Sequence, residues 1–161
     1  MKILLIAPES KRAAKKKAIL VPFPQASLTI IAGLTPQEHS VTIIDERLHE
    51  IDYNGDYDLI GITVMTATSA HAYQIADEFR RRNKKVVLGG IHPSALPDEA
   101  IQHADCVVIG EAENLWKMVL DDFQKGQMQK FYKNEELPCL TQVPPARLDL
   151  LGKGYLLKNV F

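Results

Sequence analysis

Four short stretches carry residues able to recognise a polar ligand: Pro8-Glu9-Ser10, Thr63 to Ser69, Gly89 to Pro93, and Gly110 to Glu113. Thr63, Thr66, Thr68 and Ser69 bring hydroxyls that both donate and accept hydrogen bonds, and Met65 among them brings a thioether. Gly89 and Gly90 let backbone approach a ligand with no Cβ in the way. His92, just before Pro93, adds an imidazole. Gly110, Glu111 and Glu113 add a turn and two carboxylates that can accept from a cofactor amide. Each also has a plainer use. The glycine pair can simply turn the chain, Ser and Thr cap helices, His92 can be satisfied within its own loop, and acids near a helix start are favoured by its dipole. The chemistry on offer is binding, and no catalytic group is assigned.

Several sharper chemistries are excluded by what is missing. A dinucleotide site needs GxGxxG after the first strand, and the sequence there is Ala7-Pro8-Glu9-Ser10-Lys11-Arg12, with no glycine. A phosphate-binding Walker loop fails for the same reason, and Asp45 and Glu46 are then no sign of a ribose site. A phosphoacceptor domain would need an aspartate at the end of the third strand, where Val64-Met65-Thr66 stands. His39, His49, His71 and His103 show no HxxxH or HExxH spacing, and Cys106 and Cys139 form no CxxC pair, so no metal site is expected. Cys106, Trp116 and Phe123 sit at core spacing.

The elements that must position the four stretches follow from periodicity. The 161 residues suit one domain at about 100 to 200 residues each. With 46% hydrophobic and 24% charged residues the composition is that of a soluble globular chain, and no apolar run nears the roughly 18 residues of a spanning helix. The N-terminus reads as a strand rather than a signal peptide, which predicts a cytoplasmic protein. A net charge of -1 gives no field for nucleic acid, although basic residues crowd Lys11 to Lys17, a segment expected to be mobile and exposed. Five aliphatic runs predict strands: Lys2 to Ala7, Val41 to Asp45, Leu59 to Val64, Lys85 to Leu88 and Cys106 to Ile109. Helical spacing joins Ala72, Ile75, Ala76 and Phe79, and again Leu115, Trp116, Val119, Leu120 and Phe123. A weaker helix spans about Pro24 to Leu34, and Asp98 to His103 suits a short one. Alternating strands and helices predict a doubly wound, five-stranded parallel α/β sheet of flavodoxin-like or Rossmann-like type, in the order 2-1-3-4-5. In such a sheet a ligand lies beyond the carboxyl ends of the strands, where the four stretches fall. The domain is expected to span 1–133. Residues 134–161, rich in proline and glycine, read as a connector, and the apolar YLLKNVF ending suggests a fragment cut before another domain.

IGIT (Ile60 to Thr63), VVLGGIHPSALPDEA (Val86 to Ala100) and HADCVVIGEAENLW (His103 to Trp116) closely resemble the N-terminal cobalamin-binding-type domain of radical SAM proteins. PQASLTIIAGLTP (Pro24 to Pro36) and VTIIDE (Val41 to Glu46) resemble the same family's first helix and second strand. The resemblance implies a cobalamin-binding module joined to a C-terminal radical SAM barrel. That barrel's CxxxCxxC loop holds a [4Fe-4S] cluster and acts on S-adenosylmethionine, often for methyl transfer. It also implies that Thr63, Met65, Thr66, Ser69, Gly89, Gly90, His92, Pro93, Gly110, Glu111 and Glu113 face the corrin. The basic segment Lys11 to Lys17 is not part of that pattern. A vestigial domain serving as structural cover or as a partner- or substrate-binding module, and a flavin-binding domain, are the alternatives. No histidine stands in a DxHxxG motif, so cobalt is expected to lack an axial imidazole from that motif, with His92 the exception to test.

Overall fold

The computed structural model describes residues 1–9, 25–134, 143–152 and 155. Its strands arise where aliphatic and β-branched side chains run continuously: β1 (Lys2–Ala7), β2 (Ser40–Asp45), β3 (Leu59–Thr63), β4 (Lys85–Gly89) and β5 (Cys106–Ile109). Both faces of such strands are apolar because helices cover both. All pairings are parallel, and the order is β2-β1-β3-β4-β5-β6. The expected order is therefore present, with one correction: the sheet has six strands. The sixth, β6 (Phe131–Lys133), lies beside β5 with Val107 opposite Phe131. Three residues are too few to show a period, and only Tyr132 among them points inward. Its hydroxyl donates to Asp122 at 2.7 Å and accepts from the Gln129 N–H, which fixes this short edge.

The helices match the sequence pattern in place, with small changes at their ends. They are α1 (Ala26–Leu34), α2 (Ser69–Arg81), α3 (Ile91–Ala95), α4 (Pro97–Ala100) and α5 (Trp116–Gln124), with a 3-10 turn at Thr66–Thr68 before α2. A helix directly after Gly90 was not expected, because Pro93 suggests a loop. Pro93 occupies the first turn of α3, where its missing N–H leaves no bond unmade. The expected helix from Asp98 to His103 starts and ends earlier, with Pro97 as its first residue.

Alternation along the strands splits the core into two layers. Ile3, Leu5, Leu59, Val87, Cys106 and Val108 face α1 and α5. Leu4, Ile6, Ile60, Ile62, Val86, Leu88 and Val107 face α2 with its Ile75, Ala76 and Phe79. Cys106 is core as expected, and burial pushes its thiol up to about 12. Where the expected connector is described, it packs against this domain: Leu151 and Tyr155 are buried in the α1 and α5 layer. The basic segment Lys11 to Lys17, Cys139, and the YLLKNVF ending apart from Tyr155 lie outside the described residues.

Candidate functional site

Beyond the carboxyl ends of the central strands, between α1 and α5, lies a solvent-open cleft with a cavity volume of about 150 Å³. Its floor follows from strand register. Leu5, Gly61 and Val87 stand side by side, and Thr63 pairs with Gly89 one step nearer the edge. A Cβ on Gly61 would meet Leu5 Cδ2 at 2.8 Å and Trp116 Cη2 at 3.7 Å, so a side chain there would fill the bottom of the cleft. Ser27, Leu28 and Ile31 of α1 form one wall, and Trp116 of α5, with Ala112 before it, the other. The two walls are tied at one end. The Trp116 Nε1–H donates to Thr35 Oγ1 at 2.8 Å, and that hydroxyl donates to the Ile31 carbonyl.

The predicted site residues divide into four groups. Thr63, Gly89, Gly90, Gly110, Glu111 and Glu113 line the cleft together. Glu111 and Glu113 precede α5, which has no acid in its first turn, so they stand at the cleft rather than on that helix dipole. Met65 and Thr66 are exposed at the same edge of the sheet but outside the cleft lining. Thr68 and Ser69 serve the local turn: Thr68 Oγ1 donates to the Met65 carbonyl and accepts the Met65 N–H, and Ser69 Oγ donates to the Thr66 carbonyl. His92 and Pro93 are buried in α3, away from the cleft. His92 Nε2 lies 3.3 Å from Glu99 Oε1, and its ring packs near Tyr73. Burial, then the neighbouring Glu99 carboxylate, push the Tyr73 phenol up to about 12. The His92 contact in turn holds Glu99 below the ordinary carboxylate range.

The two adjacent glycines do different work. Gly90 has φ +104°, and a Cβ there would lie 2.9 Å from the Val64 carbonyl oxygen, so the backbone itself demands glycine. At Gly89 a Cβ would meet only Val108 Cβ, at 3.9 Å, and would otherwise project into open space. Hydrogen bonds lock the loops around them. The Val64 N–H donates to the Gly89 carbonyl at 2.8 Å. Ser94 Oγ donates to the Gly90 carbonyl and accepts the Gly110 N–H, joining the loops after β4 and β5. Such ties hold a binding surface ready before a ligand arrives.

Gly61, Ser27, Leu28, Ile31 and Trp116 were missed by sequence reasoning. Gly61 did carry a signal, since a glycine inside a strand often marks close approach by a ligand. No histidine lines the cleft: His39 contacts the N-terminal amine, His71 pairs with Glu46 and His103 with Asp77, while Gly152 packs against His49. Among the described residues no His, Cys, Asp and Glu cluster could hold a metal ion, and none of their helices is long and apolar enough to cross a membrane.

Residues 20–119 match the B12 binding domain family. The chain is 45% identical over 134 residues to a bacteriochlorophyllide d C-8(2)-methyltransferase of Chlorobaculum tepidum, a match covering 83% of this chain and 30% of that protein. It is 35% identical over 148 residues to the C-12(1)-methyltransferase of the same organism, covering 89% and 32%. To an uncharacterized methyltransferase of Pyrococcus horikoshii it is 31% identical, covering 81% and 31%. The matches thus span about a third of these curated relatives. The chain belongs to the B12-binding domain family.

Proposed function

We propose that this chain is the cobalamin-binding module of a cytoplasmic methyltransferase whose catalytic part is a radical SAM barrel with a [4Fe-4S] cluster and S-adenosylmethionine. Cobalamin, when bound, supplies a cobalt-centred carrier for a methyl group. The cleft is the observation that carries the reading. Its glycine floor and apolar walls suit a flat aromatic group such as the base of the cofactor's nucleotide tail. Side chains at Gly61 or Gly89 would occupy that space.

The chain's own residues bind and orient. Leu5, Val87, Val108, Leu28 and Trp116 exclude water from the floor and walls. The backbone at Gly89 and Gly90 and the Thr63 hydroxyl supply close polar contacts. Glu111 and Glu113 accept from corrin amides. Met65, Thr66 and Ser69, at the same edge of the sheet, would help to hold the corrin. His92, engaged with Glu99 and outside the cleft lining, would not hold the cofactor. The radical SAM partner is supported by the resemblance of the GGIHP and GEAE stretches, and methyl transfer by the names of the relatives. A cofactor domain does not select the substrate, and bacteriochlorophyllide d, on which two relatives act by name, is the first to try with the whole protein.

Trp116 is the sole tryptophan and lines the cleft, so hydroxocobalamin binding should quench its fluorescence to saturation at one equivalent. The cobalt spectrum of the complex should show no nitrogen ligation from protein, and His92→Ala should leave it unchanged. An absence of quenching would favour a vestigial domain acting as cover. Loss of binding in His92→Ala, with a cobalt spectrum shifted away from nitrogen ligation, would overturn the placement of that histidine.

A further inference from the structure

Pro145 and Arg147 lie against α1, whose Ser27, Leu28 and Ile31 wall the cleft, and Gly152 and Tyr155 reach the end of β2. The contacts are close and varied. The Arg147 N–H donates to the Thr29 carbonyl at 2.9 Å. A Cβ on Gly33 would fall 2.5 Å from the Pro145 carbonyl oxygen, so glycine in α1 lets the segment lie directly on the helix. Leu148 and Leu150 pack against the core, and Leu151 is buried in it. Gly152 sits against His49, which follows β2. Finally, the buried Tyr155 hydroxyl donates at 2.9 Å to the Asp45 carboxylate, at the last residue of β2. Arg47 Nε reaches the same carboxylate at 2.8 Å, so the far end of the segment is fastened at the edge where the cleft opens.

α1 is held on its inner side by the buried Leu28, Thr29 and Ala32, and its ends are weakly fixed. It has no side-chain cap at its start and no charged residue in its first or last turn, and it carries a glycine. Its direct hydrogen-bonded tie to α5 is the Thr35–Trp116 bond just past its end. We propose that residues 143–152 and Tyr155 form a strap that holds α1 against the sheet and thereby sets the width of the cleft, with Gly33 and Tyr155 as positioning residues. This rests on the cofactor reading for its effect on affinity, but its effect on α1 stands apart from any ligand. A strap of this kind couples whatever moves these residues to the grip on the cofactor.

Amide hydrogen exchange of residues 26–34 and hydroxocobalamin affinity, measured on the full chain with Gly33→Ala and Tyr155→Phe, test this. Alanine is the better helix former by about 1 kcal/mol, so a helix independent of the strap would exchange more slowly in Gly33→Ala. The strap account predicts the opposite sign, faster exchange, with affinity about tenfold weaker. Tyr155→Phe keeps the ring and removes one hydrogen bond, so it should fold even if Gly33→Ala does not. In it α1 exchange should rise and affinity fall about threefold. Unchanged or slower α1 exchange in the variants, with affinity retained, would overturn the proposal. Wild-type protein that binds no hydroxocobalamin would remove the cofactor reading instead, while the exchange comparison would still decide whether the strap holds α1.

Discussion

The two faces of the central strands part company at their carboxyl ends. Toward α2, Ile60, Ile62, Val64 and Leu88 stay large and buried to the last residue. Toward α1 and α5, the same strands present Gly61, Thr63 and Gly89, and a cleft opens above them. Strand periodicity treats the two faces alike, so the difference lies in side-chain size. A filled face stabilises the fold, and a face emptied by glycine leaves room for something else. At protein packing density such emptiness is costly unless it is used.

Phe79→Ala breaks the filled face. Phe79 is fully buried behind β3 and β4, and its truncation should cost about 3–5 kcal/mol in a denaturant melt. Cofactor affinity of the folded fraction should stay unchanged, because Phe79 lies on the face of the sheet away from the cleft. A large loss of affinity there would show that the faces are not separable.

Gly90→Ala comes next. It forces a side chain into a backbone conformation nearly reserved for glycine, at about 1–3 kcal/mol, read as a lowered unfolding midpoint. Trp116→Phe sharpens the comparison from the other side. It leaves the Thr35 hydroxyl without its donor and should cost about 0.5–1.5 kcal/mol, with faster amide exchange in α1.

The smallest effect is on pH dependence. Burial raises the Asp45 carboxyl, but hydrogen bonds from the Arg47 side chain and backbone and from Tyr155 outweigh it, and the net is a lowered pKa. A folded pKa below the unfolded value of about 4 means that this stabilisation is fully present above that value. It is lost as pH falls through the lowered folded pKa. Asp45→Asn should flatten the acid limb of a stability profile without altering the neutral plateau's slope.

Much of this was legible in the residues. Aliphatic runs located five strands and their order, because parallel crossovers leave few alternatives, and the strand-end rule found the loops that border the cleft. It could not say which way each side chain turns within a loop. His92 lies two residues from Gly90 yet is buried within α3 away from the cleft, while Glu113, past a turn, borders the cleft. Nor could it distinguish Gly89 from Gly90, whose roles depend on φ and on the Val64 backbone. Tyr132, the only inward residue of β6, is too little pattern to read. The strap was invisible because proline and glycine in NEELPCLTQVPPARLDLLGKG suggest a connector, and its anchors, Gly33 and Asp45, lie about 110 residues away in sequence from the groups they meet.

Gly89→Leu puts the central claim to the most direct test. The added side chain has open space before it, with Val108 Cβ the nearest neighbour of its Cβ at 3.9 Å, so the unfolding midpoint should stay near that of wild type. Hydroxocobalamin titration of the variant, followed by Trp116 fluorescence, should show affinity at least about 100-fold weaker, because the leucine occupies the cleft floor. Wild-type affinity in a stably folded Gly89→Leu would contradict the assignment of the cleft as the cofactor site.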